Sequence, residues 1–271
     1  METRWLYTSS ENFHALREAS NDTCVIPMGC IEKHGLHLPL GTDSIASDAV
    51  AYAASQIETV CVFPNFIFGD VPENSPNGNP GNIAIKLETQ MMLLEEVCDQ
   101  IGKNGFEKII ILNGHGGNND MIKYFLMSNL DRKTPYSLYA VTMYNSGKDE
   151  FKEETKKYIE YGEGHAGDWE TSLALAVAPD SVKLEDSHFE EPILPKNRTD
   201  HLGRVQTAFR WYGNYPENVT GRPSLASREK GEKLIEIYAR QFARDIAIVK
   251  ADNAVPELKR EFFEKIDKLG K

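Results

Sequence analysis

The run TCVIPMGCIEKHGLHLPLGTD, residues 23–43, decides the fold. Its first six residues are apolar and rich in β-branched side chains, and they stop at Gly29, the pattern of a buried strand arriving at a loop. Leu38-Pro39-Leu40-Gly41 excludes a regular helix, because proline restricts the residue before it and the glycine invites a turn. Thr42-Asp43-Ser44 then opens an alanine-rich segment, residues 45–57, with apolar residues at helical spacing. Strand, loop and crossover helix in that order predict an α/β fold.

The same stretch concentrates chemistry. Glu32, His34, His37 and Asp43 fall within a dozen residues. If the chain stays extended after the strand, Glu32 and His34 leave on one face, because the strand period is two. Asp43 or Ser44 could serve as an ordinary helix N-cap. For the cluster as a whole a metal site is favoured over a plain polar loop, since a cation satisfies several buried polar groups at once.

Working outward, residues 11–19 predict a short amphipathic helix with Phe13, Leu16 and Ala19 inward and His14 toward solvent. Residues 60–68, VCVFPNFIF, predict a second strand interrupted by Pro64. The turn-rich stretch 69–81 reads equally well as a lid or as a surface loop. Residues 87–102 predict a helix ended by Gly102 or Gly105, and residues 108–112 the plainest buried strand.

That strand runs into NGHGGNND, residues 113–120, and helical periodicity resumes over 121–130. Strand, glycine-rich turn and helix place functional groups at the carboxyl edge of a parallel sheet, here His115 with Asn113, Gly116 and Gly117 around it. The pattern matches neither GxGxxG nor a P-loop, which argues against a dinucleotide. Residues 136–144 predict another strand, and 148–161 a charged segment without evident chemistry. GEGHAGDWETS, residues 162–172, again presents a histidine and carboxylates, His165 and Glu170, before a buried helix. Residues 182–223 are irregular and aromatic, predicting a cover or an interface rather than a pocket, with His188 and His201 outside the chemistry. The last long helix spans 227–249, with Leu234, Ile237, Tyr238, Phe242, Ile246 and Val249 inward, and an amphipathic tail follows from 256, docking loosely.

The chain has 271 residues, 41% hydrophobic, enough for one large α/β domain over residues 1–271. A net charge of −11 argues against nucleic acid or an anionic membrane as the main partner, since both require a basic face. No secretory leader and no membrane span is expected. Cys24, Cys30, Cys61 and Cys98 lack finger spacing, and three of them lie in or beside apolar runs, which fits a reducing cytoplasm.

The blocks GCIEKHGLHLPLGTD, NGHGGN, GHAGDWETS and ASREKGEKLIE, spread over residues 25–240, resemble the creatininase (creatinine amidohydrolase) family of metal-dependent hydrolases. The resemblance implies a three-layer α/β/α sandwich with a mostly parallel central sheet, two divalent ions, zinc with manganese or iron, and a homo-oligomer, a hexamer being one arrangement. It implies that Glu32 and His115 hold one ion, His34 the other, and that Asp43 bridges them. Creatininase has a further glutamate ligand two residues after the histidine of its NGH motif. Gly117 stands at that position here, and Glu170 is the candidate replacement.

These expectations define a hydrolase of a C–N bond in a cyclic amide or formamide. His165 would donate a proton or steady an oxyanion, Glu170 would bind metal or move that proton, and His37 would orient a ligand from behind. Ring opening of an oxidised inositol or peptide cleavage, as in other branches of the family, is the alternative. A phosphoesterase is disfavoured because no Arg or Lys cluster beyond Lys33 flanks the ligands. A non-catalytic metal-binding protein would require ions that are fully enclosed.

Overall fold

The computed structural model describes residues 1–71, 79–144, 150–160, 164–187 and 191–269. Strands β1 (Thr23–Met28), β2 (Cys61–Val62), β3 (Lys108–Asn113) and β4 (Ser137–Thr142) form a wholly parallel sheet in the order β2-β1-β3-β4. Every residue of β1 and β3 is buried. Successive side chains alternate between two apolar cores, as period two demands. Cys24, Ile26, Met28, Ile109 and Ile111 enter one core, while Val25, Ile110 and Leu112 enter the other.

Helices fill the layers on either side. Against the first face lie α1 (Ser10–Ala19), α3 (Leu87–Lys103) and α4 (Asn118–Ser128), supplying Leu16, Leu94, Cys98, Ile101 and Phe125. Against the second lie α2 (Thr42–Ser55), α6 (Asp168–Val177) and α8 (Arg228–Ala251), supplying Val50, Leu173, Leu234 and Phe242. The three-layer α/β/α expectation therefore holds. All six residues expected inward on the last long helix are buried. Its start is capped by the Ser227 hydroxyl, which accepts from the Lys230 amide at 3.2 Å. At its end the Lys108 ammonium donates to the carbonyls of Val249, Lys250 and Asp252, a cation on the negative pole of the helix.

Several local expectations are corrected. The second strand is only two residues long, because Pro64 removes a ladder donor; Phe66 returns for one isolated bridge to Met28. Ala19 is exposed, so Leu16 alone buries fully from α1. The charged segment after 148 folds as α5 (Glu150–Thr155), which buries Phe151 and Thr155 and pairs Glu154 with Arg240 of α8 at 2.8 Å. Gly105, at φ +93, rather than Gly102 ends α3. The tail forms α9 (Ala254–Leu269), buries Phe263 and ties Lys133 to Asp267 at 3.0 Å. Residues 72–78 of the proposed lid, and His188, lie outside the described residues.

The topology fixes where a site can form. The chain leaves β1 for β2 on one side and comes back to β3 on the other, so the strand order reverses between β1 and β3. Met28 and Asn113, the last residues of those strands, are register partners. The segments that follow them therefore emerge side by side at the carboxyl edge, where open α/β sheets bind ligands. No helix among the described residues is long and apolar enough to cross a membrane.

Candidate metal centre

Close backbone approach brings the first turn of α2 to this edge. A Cβ on Gly29 would sit 2.4 Å from the Ser44 nitrogen, and one on Gly114 would sit 2.9 Å from the Asp43 carbonyl oxygen. Side chains at either position would push α2 away from the strand ends. Gly41, not Asp43, is the N-cap of α2, and the Asp43 carboxylate turns inward instead, 3% exposed. Its two oxygens diverge. Oδ1 lies 3.1 Å from His34 Nε2, whereas Oδ2 lies 2.7 Å from His115 Nδ1 and 3.1 Å from Cys30 Sγ.

Two donor groups form around it. Cys30, Glu32, Asp43 and His115 offer ligand atoms within 4.8 Å of one another, and so do His34, Asp43 and Glu170. Glu32, His34 and His165 make a third, overlapping group. Ligands of a tetrahedral ion, held at about 2.1 Å, stand roughly 3.4 Å apart. The spacings His115–Glu32 and His34–Glu170, both 3.4 Å, match this, and the nitrogen, carboxylate and sulfur donors are those that zinc and related dications take. The residues present thus fit a pair of metal ions sharing Asp43.

Backbone carbonyls aim the imidazoles. His34 Nδ1 donates to the Glu32 carbonyl at 3.0 Å, turning Nε2 inward, and His115 Nε2 donates to the Asp70 carbonyl at 2.9 Å, turning Nδ1 inward. The Asn118 side chain holds Asp70 in place, accepting from its amide at 2.7 Å and donating to Asn113 Oδ1 at 3.1 Å. Asn113 also receives the His115 amide at 3.1 Å, so it shapes the turn from behind. A Cβ on Gly117 would meet the Asp70 carbonyl at 2.4 Å and His115 Nε2 at 2.5 Å. A glutamate could not stand there without breaking that bond. Glu170 reaches the centre from α6, across the sheet edge, and its Oε2 also accepts the Ala166 amide at 2.6 Å. Gly116 is exposed beside the Tyr144 hydroxyl.

The electrostatics call for positive charge. Burial would push both imidazoles down, but Asp43 and then Glu170 lift His34 to about 10, and Glu32 with Asp43 lifts His115 to about 9. Burial opposes ionisation of Asp43, yet His34 and His115 hold its carboxyl well below the usual range. Burial raises Glu170 to about 8. Burial, and then the neighbouring His34, lowers His165 to about 4 and His37 likewise to about 4.

His165 stacks on His34 with ring centroids 4.0 Å apart, and its Nε2 donates to the Lys33 carbonyl at 3.0 Å. It is half-buried, more exposed than His34, His37 or His115. His37 contacts none of the candidate ligands by hydrogen bond; its Nε2 meets Thr171 Oγ1 at 2.9 Å, so it braces α6 one residue beyond Glu170. His201 is exposed.

The 182–223 segment departs from the expectation of a mere cover. Trp211, on the short helix α7 (Arg210–Asn214), stands edge-on to His165 at 5.6 Å. Its indole nitrogen donates to Asn218 Oδ1 at 2.6 Å. Asn218 in turn donates to the Lys33 carbonyl at 2.6 Å and to Glu32 Oε1 at 3.3 Å. Cys30, Trp211 and Asn218 are the site residues that sequence reasoning missed. Cys30 alone carried a signal, its place two residues before Glu32 and outside the longer apolar runs.

Carboxylates and imidazoles buried at the switch point of a parallel sheet, around one shared aspartate, belong to a metal-binding hydrolase on an α/β scaffold. The family follows from comparison with known proteins. A model described as "Creatininase: Creatinine amidohydrolase" matches residues 7–246, and the chain belongs to that family. It is 29% identical over 245 residues, 83% of this chain and 78% of that protein, to the 3-dehydro-scyllo-inosose hydrolase of Thermotoga maritima. It is 24% identical over 262 residues, 86% of this chain and 92% of that protein, to the creatinine amidohydrolase of Pseudomonas putida. The solved structure of creatininase superposes with a TM-score of 0.74 at 22% identity, covering 93% of this chain and 99% of that one. Further creatininase structures of this fold are of a Zn-Zn type and a Mn form.

Proposed function

We propose that the protein is a dinuclear-metal hydrolase that cleaves a C–N bond in a cyclic amide or formamide. Glu32 and His115 would hold one ion and His34 and Glu170 the other, with Asp43 shared between the two donor groups. The observation that carries this reading is the divergence of the two Asp43 oxygens into separate donor groups. Zinc, paired with manganese or iron, suits the nitrogen and carboxylate donors, and zinc and manganese each occupy creatininase structures of the same fold. When bound, such ions supply Lewis acidity, lowering the pKa of a water and polarising a carbonyl.

The chain's own groups do the rest. His165, kept neutral by its surroundings and with its Nε2 proton engaged by the Lys33 carbonyl, has Nδ1 as its free acceptor, which suits it to take a proton from the attacking water and then pass that proton to a leaving nitrogen. Glu170 holds its position through the Ala166 amide. Trp211, held by its bond to Asn218, stands edge-on beside His165, where it would border a bound substrate. The four cysteines are free and buried, as a reducing cytoplasm would keep them, and a homo-oligomer, a hexamer by family resemblance, completes the proposal.

A second reading, ring opening of an oxidised inositol, is favoured by the higher identity to the inosose hydrolase, 29% against 24% to the creatinine amidohydrolase, while Gly117 at the position of a creatininase ligand weakens the case for creatinine itself. Mass spectrometry of lactams, formamides and inososes incubated with zinc- or manganese-loaded protein separates the two. Addition of one water to a lactam, or release of formate, supports the first reading. Turnover of inososes alone supports the second, and no turnover in either class by fully loaded protein overturns both.

A further inference from the structure

Cys30 differs from the other three cysteines in what surrounds it. Cys24, Cys61 and Cys98 belong to the apolar core on the α1/α3/α4 face, where a thiol is a small hydrophobe. Cys30 belongs to neither large core. It is fully buried, yet its sulfur lies 3.1 Å from Asp43 Oδ2 and 3.7 Å from Glu32 Oε2, on the side of Asp43 that faces His115. The backbone is fixed on both sides: the Gly29 amide donates to the Phe66 carbonyl at 3.1 Å, and the Ser44 hydroxyl donates to the Cys30 carbonyl at 3.1 Å. Among the described residues, Cys30 is the one cysteine that joins a group of potential metal ligands.

A sulfur aimed between two carboxylates and an imidazole has two physical uses. As a thiol it donates weakly to the carboxylates. As a thiolate it completes a four-donor set with them, since a coordinating cation displaces the thiol proton. Two carboxylates beside a thiolate repel it, so the second use needs a dication between them. The four-donor geometry favours that use.

We propose that Cys30 is a ligand of the ion held by Glu32, Asp43 and His115, making that position a mixed sulfur, nitrogen and oxygen site, while the His34, Asp43 and Glu170 position has no sulfur. The two positions then select different metals. Soft sulfur biases the first toward zinc and other thiophilic ions, and the all-nitrogen-and-oxygen second position accepts manganese or iron. This rests on the dinuclear reading above, and the test separates the two claims.

The full chain is loaded with cobalt(II), and metal content and absorption are read together. A sulfur-to-cobalt charge-transfer band in the near ultraviolet that persists in Cys98→Ala and disappears in Cys30→Ser supports the assignment. In zinc and manganese competition, Cys30→Ser should lower the preference of the first position for zinc by roughly tenfold or more. Full cobalt occupancy without the band, or an unchanged zinc preference in the variant, overturns the Cys30 assignment and leaves the dinuclear centre standing. Failure to bind cobalt at all overturns both. Should Cys30→Ser not fold, zinc X-ray absorption on the unaltered protein decides: a sulfur shell at about 2.3 Å supports the ligand, and nitrogen and oxygen shells alone overturn it.

Discussion

Asp43 sits where a helix start and a strand edge compete for one carboxylate. At the first turn of α2 it could satisfy orphan amides, but Gly41 takes the N-cap place and the side chain is drawn to two imidazoles instead. A charge buried to this degree is tolerated only when paired or metal-bound. The two proposed ion positions can be emptied separately. His115→Ala should leave one metal per chain, on His34, Asp43 and Glu170, and Glu170→Gln should leave the other. Asp43→Asn should lose both, with activity down roughly a thousandfold or more. Elemental analysis of the purified variants checks this, and an Asp43→Asn protein that keeps both ions would contradict the bridging role.

At the scale of elements, the helices are set by how closely they may approach. Gly231 of α8 lies against α6, where a Cβ would fall within 1.8 Å of the Ser172 carbonyl oxygen. In an isolated helix Gly→Ala would stabilise by about 1 kcal/mol. Here the overpacking cost of about 1–3 kcal/mol opposes that gain and, with backbone as the clashing group, exceeds it. Gly231→Ala is therefore expected to lower the urea midpoint and, because α6 carries Glu170, to loosen metal binding as well. A raised midpoint with unchanged metal affinity would show that α6 and α8 can separate without consequence. The same logic explains Gly117, whose missing side chain leaves room for the Asp70 carbonyl under His115.

Across the molecule, the buried charges make stability depend on metal and pH together. Without metal, the raised pKa values of His34 and His115 contribute stability that is complete below 6.5 and is lost as pH rises through about 9 to about 10. His37 and His165, lowered to about 4, contribute stability that is complete above 6.5 and is lost as pH falls toward about 4. Glu170, raised to about 8, contributes stability that is complete below 4.5 and is lost as pH rises through about 8. Chelator-treated protein should thus be most stable on the slightly acid side of neutrality and weaken on both sides. Zinc should remove the alkaline loss, because the ion takes the place of the protons on His34 and His115, and should add about 2.7 kcal/mol per site at a hundredfold excess over Kd. Urea midpoints across pH, with and without zinc, check this; an alkaline loss that zinc does not change would rule out metal at those histidines.

Local patterning in the sequence determined much of this protein. Continuous apolar runs specified β1 and β3, three- and four-residue spacing specified α2, α3 and α8, and glycine-rich turns placed Glu32, His34, His115, His165 and Glu170 at strand ends or a helix start. Burial and turn chemistry are short-range demands, readable from neighbours. Tertiary structure alone decided which strand ends adjoin, that Asp43 spans two donor groups, that Cys30 faces carboxylates rather than the core, and that Trp211 and Asn218 come from an irregular segment to the His165 and Glu32 side of the centre. Those are contacts between residues far apart in the chain, and no local periodicity records them.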